Sequence, residues 1–122
     1  MSHSEIESLF TDWNNALQTG EPRRVSALYD NEGVLLPTLS NQVRHNHEEI
    51  EDYFVHFLAK GPQGKINESN IRIFDDIAIN SGIYTFTFKD GSSAQARFTY
   101  VYRKKENRWL IIEHHSSVMP ES

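Results

Sequence analysis

The sequence predicts a single α+β domain in which three N-terminal helices pack on a strongly curved, mainly antiparallel sheet that encloses an internal pocket. Three observations carry this prediction. Apolar residues recur at helical spacing through the first half of the chain and alternate at strand spacing through the second. A long hairpin over residues 94–120 carries large apolar groups on both of its faces, so both faces need a cover. The chain has helices enough for one face, which leaves the other to a second subunit.

The first helix is expected to start at Ser4, which with Glu7 three residues later has the form of a capping box. Ile6, Leu9, Phe10, Trp13, Ala16 and Leu17 then make one broad apolar face, and Gly20 ends the helix. Pro22 opens a short second helix with Val25, Leu28 and Tyr29 inward, closed by Asp30-Asn31-Glu32-Gly33. A brief strand over 34–37 and a loop over 38–45 lead to a third helix, with Asn46 as N-cap and Glu49 at the box position. Ile50, Tyr53, Phe54, Phe57 and Leu58 form its face, and Gly61-Pro62 closes it.

The remainder reads as sheet: a strand over 65–74, a turn at Asp75-Asp76, and a long strand over 77–88 that is expected to curl at Gly82. In the hairpin, Ala96, Phe98, Tyr100 and Tyr102 share one face and Arg97, Thr99, Val101 and Arg103 the other. After the polar turn at 104–107, Leu110, Ile112, His114 and Ser116 fall on one side, and Trp109, Ile111, Glu113, His115 and Ser117 on the other.

With 122 residues, one domain over 1–122 buries roughly two thirds of its unfolded surface. No apolar run approaches a membrane span, and residues 1–5 lack the charged and apolar regions of a signal peptide, so a cytoplasmic protein without a membrane partner is expected. The absence of cysteine removes disulfides, thiolate nucleophiles and thiolate metal sites. A formal charge of −5 argues against a nucleic-acid partner, and Lys104-Lys105 is a solvated turn.

Several stretches together resemble the nuclear transport factor 2-like superfamily: Trp13 with Thr19-Gly20-Glu21-Pro22, Leu28-Tyr29-Asp30, Val34-Leu35-Leu36-Pro37-Thr38, Tyr53-Phe54, and the ending from Trp109 with His114-His115-Ser116-Ser117 before Met119-Pro120. Within it the chain is similar to small bacterial proteins related to the association (hub) domain of calcium/calmodulin-dependent protein kinase II. The resemblance implies a cone-shaped fold that hosts isomerases, dehydratases, hydrolases, cyclases and plain binding or assembly modules, so activity must be argued from the site.

The resemblance also implies a cavity lined by Trp13, Tyr29, Tyr53, Phe57, Tyr84, Phe86, Phe98, Tyr100, Ile112, His114 and Ser116. Kinase hubs project arginines into this cavity from the last strands. The matching positions here hold Tyr84, Tyr100 and Ser116, so anion binding does not carry over residue by residue. Arg44 could supply a cation by another route, whereas strand alternation points Arg97 away.

Among candidate catalytic groups, His114 suits a general base, and it equally suits a hydrogen-bonded core histidine. Asp30 and Tyr29 sit where some enzymes of the superfamily place a catalytic group, and Asp-Asn-Glu-Gly is also an ordinary helix end. Tyr29, Tyr53, Tyr84 and Tyr100 offer hydroxyls to a ligand but are also ordinary core residues. His45-x-His47 lacks a third spaced ligand, so no metal is expected. Ser116-Ser117 lacks a nucleophile elbow.

Two functional classes survive. The preferred one is a non-catalytic homo-oligomer, at least a dimer, holding a small, partly apolar or carboxylated ligand without a cofactor. Its interface would use Ile79, Ile83, Arg97, Val101, Trp109, Ile111 and His115. The alternative is a cofactor-free isomerase, dehydratase or cyclase in which His114 or Asp30 moves a proton.

Overall fold

The structure, a computed structural model, describes residues 2–121. Met1 and Ser122, the ends of the domain expected over 1–122, lie outside the described residues.

Helix α1 spans His3–Gln18, and its N-cap is Ser2, whose side chain accepts from the Glu5 backbone N–H. The cap therefore lies two residues before the expected Ser4, because Ser2 and Glu5 satisfy the same three-residue spacing. Ile6, Phe10, Trp13 and Leu17 are buried, one per turn, and Gly20 at φ +72° turns the chain out after the Thr19 cap. Helix α2, Pro22–Ser26, is shorter than expected.

The chain enters strand β1 (Tyr29–Leu36) already at Tyr29, which pairs in parallel with Ile111. Asp30-Asn31-Glu32-Gly33 is thus an irregular stretch of strand and not a helix end. Pairing with the sheet overrides the turn composition of these residues, and the register shift between Tyr29 and Val34 absorbs them. Gly33 is needed there, since a Cβ would come within 2.8 Å of the Ile111 carbonyl oxygen. Helix α3, His47–Leu58, has the expected Asn46 cap, which accepts from the Glu49 N–H.

Four long strands follow: β2 (Gln63–Phe74), β3 (Ile77–Thr87), β4 (Ser93–Lys105) and β5 (Arg108–Val118). The sheet order is β1-β5-β4-β3-β2, with β1 parallel to β5 and the other three pairings antiparallel. The β4–β5 turn is Glu106-Asn107, both at positive φ (52° and 65°), the backbone of a type I′ hairpin. Helix α1 packs against β2 and α3 against β1, placing the core between the helices and one sheet face.

The strong curvature expected of the sheet, with a curl at Gly82, is not found. Gly82 stays in register with Ser69 and Phe98, and the irregularity lies on the neighbouring strand between Ile66 and Glu68. A Cβ on Gly82 would lie 2.0 Å from the Glu68 carbonyl oxygen, so the glycine admits the bulged strand.

A second bulge changes which residues face the core. Val101 pairs with Glu113 and Tyr102 with Ile111, which leaves Ile112 as the extra residue. The alternation is reset there, so Trp109 and Ile111 share the inner face with His114 and Ser116 and are 8% and 2% exposed. Their expected place on the outer, subunit-facing side is corrected, as is that of Ile112 in the pocket, because uninterrupted alternation cannot anticipate an inserted residue. Ile79, Ile83 and Val101 remain half-buried on the outer face, with Arg97 and His115 exposed beside them.

Candidate functional site

Between α1, α3 and the inner face of β3–β5 lies a cavity of about 60 Å³. Trp13 from α1, Tyr53, Phe54 and Phe57 from α3, and Tyr84, Phe86, Ala96, His114 and Ser116 from the sheet form its walls. Leu35, Pro37, Thr38 and Leu39 close one side, and Phe88, Ala94, Gln95 and Val118 complete the lining. Leu39 and Val118 are exposed apolar residues, 59% and 56%, and mark the rim. Among the described residues the lining contains no Asp, Glu, Lys or Arg.

The polar groups form one chain whose proton order follows from its ends. The Tyr84 hydroxyl donates to Ser116 Oγ at 2.7 Å, so towards His114 Nε2, 3.1 Å away, Tyr84 can only accept. His114 is therefore the Nε2–H tautomer, and its Nδ1 accepts from the Tyr29 hydroxyl at 2.8 Å. Tyr29 oxygen in turn accepts from Trp13 Nε1–H at 3.3 Å. At the other end Ser116 Oγ also accepts from the Thr38 hydroxyl at 2.5 Å.

Burial sets the charge of this chain. His114 is 3% exposed, and desolvation, with His115 adding, lowers its pKa to about 3, so the ring is neutral at physiological pH. Desolvation likewise raises Tyr29 and Tyr84, and it takes Tyr53 to about 12. Tyr100 stacks on the His114 ring with centroids 4.1 Å apart. With both nitrogens engaged and its ring clamped, His114 is a satisfied core histidine that presents one edge of its environment to the cavity.

Of the residues expected to line the pocket, Trp13, Tyr53, Phe57, Tyr84, Phe86, His114 and Ser116 do so. Tyr29, Phe98 and Tyr100 are buried in the core and do not line the cavity. Ile112 is the bulge residue of β5. Arg44 is not in the lining: its guanidinium donates to the Glu49 carbonyl and to Asp52, both at 3.0 Å, and lies 5.6 Å from the centroid of the Tyr53 ring. Sequence reasoning passed over Leu35, Thr38 and Phe54. The Leu35–Arg44 bridge folds the 38–45 loop back over β1, and no periodicity signals such a contact.

Asp30, buried at 2% exposure, lies outside the cavity lining. Its carboxylate accepts from the Glu32 N–H at 3.0 Å and from Arg103 at 3.3 Å. The Glu32 N–H holds it below the usual carboxylate range, with Arg103 assisting against the opposing effect of burial. His45 pairs with Glu49 and His47 contacts the Tyr29 carbonyl, and no group of three or more His, Asp or Glu among the described residues is placed to hold a metal ion. No helix among the described residues is long and apolar enough to cross a membrane.

Comparison with known proteins places this geometry. Residues 2–120 match the family model of the calcium/calmodulin dependent protein kinase II association domain. A candidate association domain of that kind from Xanthomonas campestris is 51% identical, with TM-score 0.96 over 100% of this chain and 91% of that one. A candidate dehydratase of the nuclear transport factor 2-like family from Streptomyces avermitilis superposes with TM-score 0.83 at 15% identity, over 95% of this chain and 94% of that one. A protein with a cystatin-like fold from Nostoc punctiforme gives TM-score 0.81 at 19% identity, over 95% and 90%. The last two likenesses concern the fold alone. No curated protein matches the chain. By the match over nearly its whole length and the 51% identity to a solved relative, this chain belongs to the calcium/calmodulin dependent protein kinase II association domain family, built on the nuclear transport factor 2-like fold.

Proposed function

We propose that the protein is a non-catalytic, homo-oligomeric pocket protein that holds a small, largely apolar ligand between its helices and sheet. The observation that carries this reading is the state of His114. The one titratable imidazole at the cavity is neutral, with both ring nitrogens occupied by tyrosine hydroxyls, so it has no free lone pair for a substrate proton. Asp30, the other proton-transfer candidate, is held by Glu32 and Arg103 outside the lining. What remains at the cavity is aromatic and aliphatic surface with a few hydroxyls, the composition of a binding site.

The oligomeric half of the proposal rests on the outer sheet face. Ile79 and Val101 pair across β3 and β4, Ile83 follows on the same face of β3 opposite Arg97, and a second copy would remove this half-buried apolar surface from water. Arg97 and His115 would sit in the same contact. Native mass spectrometry of protein purified from cells tests both halves at once. The expected spectrum shows a dimer or a larger even assembly carrying a retained small mass. A monomer at micromolar concentration would refute the assembly.

A further inference from the structure

We infer that the cavity reads its ligand through a hydrogen bond donated by the Ser116 hydroxyl, and that the ligand is a neutral molecule with a carbonyl-type acceptor and not a carboxylate; this rests on the pocket reading above. The argument is an account of protons. Ser116 Oγ accepts from Tyr84 and from Thr38, which fills both of its lone pairs. Among the described residues it donates to nothing, although it lines the cavity and is 8% exposed. The order from Trp13 through Tyr29, His114 and Tyr84 favours this outcome, because reversing it would move the unspent proton from Ser116 to the hydroxyl of Tyr29 or Tyr84, each only 1% exposed. The unspent proton therefore belongs to Ser116.

Charge decides the rest. A carboxylate would be desolvated among Trp13, Phe57 and Phe86 with no cation among the lining residues, and Arg44, outside the lining, donates to Asp52 and to the Glu49 carbonyl. Such burial is strongly unfavourable without a paired charge. A carbonyl oxygen needs only the donor that Ser116 offers. The cavity of about 60 Å³ is roughly four times what one water needs, which limits a ligand to about four or five non-hydrogen atoms.

A matched set of probes tests this: butanone, isopentane, in which a methyl replaces the carbonyl oxygen, and propionate, in which an oxyanion replaces a methyl. Amide NMR titration of the full chain and of Ser116→Ala gives affinities, and the carbonyl carbon resonance of bound butanone reports its hydrogen bond in the wild type, without need of the variant. The expected result is butanone binding that weakens roughly five- to tenfold in Ser116→Ala while isopentane changes less than twofold. The butanone carbonyl resonance moves downfield on binding, and propionate does not bind. Butanone binding without that downfield shift, or unaffected by Ser116→Ala, overturns the inference while isopentane binding keeps the pocket reading intact. Propionate binding more tightly than butanone overturns it as well. Failure of all three probes to bind overturns the pocket reading itself.

Discussion

Replacing His114 by Asn tests the electrostatic account of the buried chain. In the folded protein burial holds the His114 pKa at about 3, whereas in the unfolded chain it returns to roughly 6.5. The folded value is the lower one, so the unfolded state binds the extra proton as pH falls. The contribution is fully present above about pH 6.5 and is lost progressively towards pH 3. With about 1.4 kcal/mol per unit, wild type loses about 2 kcal/mol between pH 7 and pH 5 through this residue. The ring is faced by Trp13, Tyr29, Tyr84 and Tyr100, none of which titrates in that window, and His115 follows it in the chain. Asn can both donate and accept, and it does not titrate. Urea unfolding at fixed protein concentration, repeated from pH 7 to pH 5, should show wild type losing on the order of 1 M more in midpoint than His114→Asn. Since the other histidines are common to both proteins, equal pH slopes would refute the buried neutral imidazole.

Other consequences are equally direct. Tyr84→Phe removes the link between His114 Nε2–H and Ser116 Oγ and should cost about 1–3 kcal/mol in unfolding free energy, read by the urea midpoint. Gly82→Ala puts a methyl 2.0 Å from the Glu68 carbonyl oxygen and should cost roughly 1–3 kcal/mol, whereas Gly20→Ala, with nothing within 4 Å, meets only the strain of its φ of +72°, about 1 kcal/mol. Asp30→Asn should lower stability at neutral pH and flatten its loss below about pH 4, because the depressed carboxylate contributes above its ordinary pKa and loses that contribution as acid protonates it. It should leave the mass of any ligand retained in native mass spectrometry unchanged. Val101→Glu places charge in the outer apolar strip and should shift the assembly towards monomer by light scattering.

The apolar faces of α1 and α3, the cap of α3, the long strands and the family were legible in the chain alone. Asn46 and Glu49 identify the start of α3 because capping is local chemistry, and the apolar face of α1 is legible because one helix turn repeats every few residues. Seven of the residues that line the cavity were readable in the same way, from alternation combined with the family resemblance. The rest depends on contacts between distant parts of the chain. The bulge at Ile112 sent Trp109 and Ile111 into the core, because an inserted residue reverses the phase of everything beyond it and leaves no mark in composition. Pairing with β5 drew Tyr29 and Asp30 out of a helix end and into a strand, since ladder hydrogen bonds outweigh a local turn preference. The proton order from Trp13 to Ser116 joins residues up to 85 positions apart, and so the neutrality of His114 and the free hydroxyl of Ser116 exist only once the chain has folded.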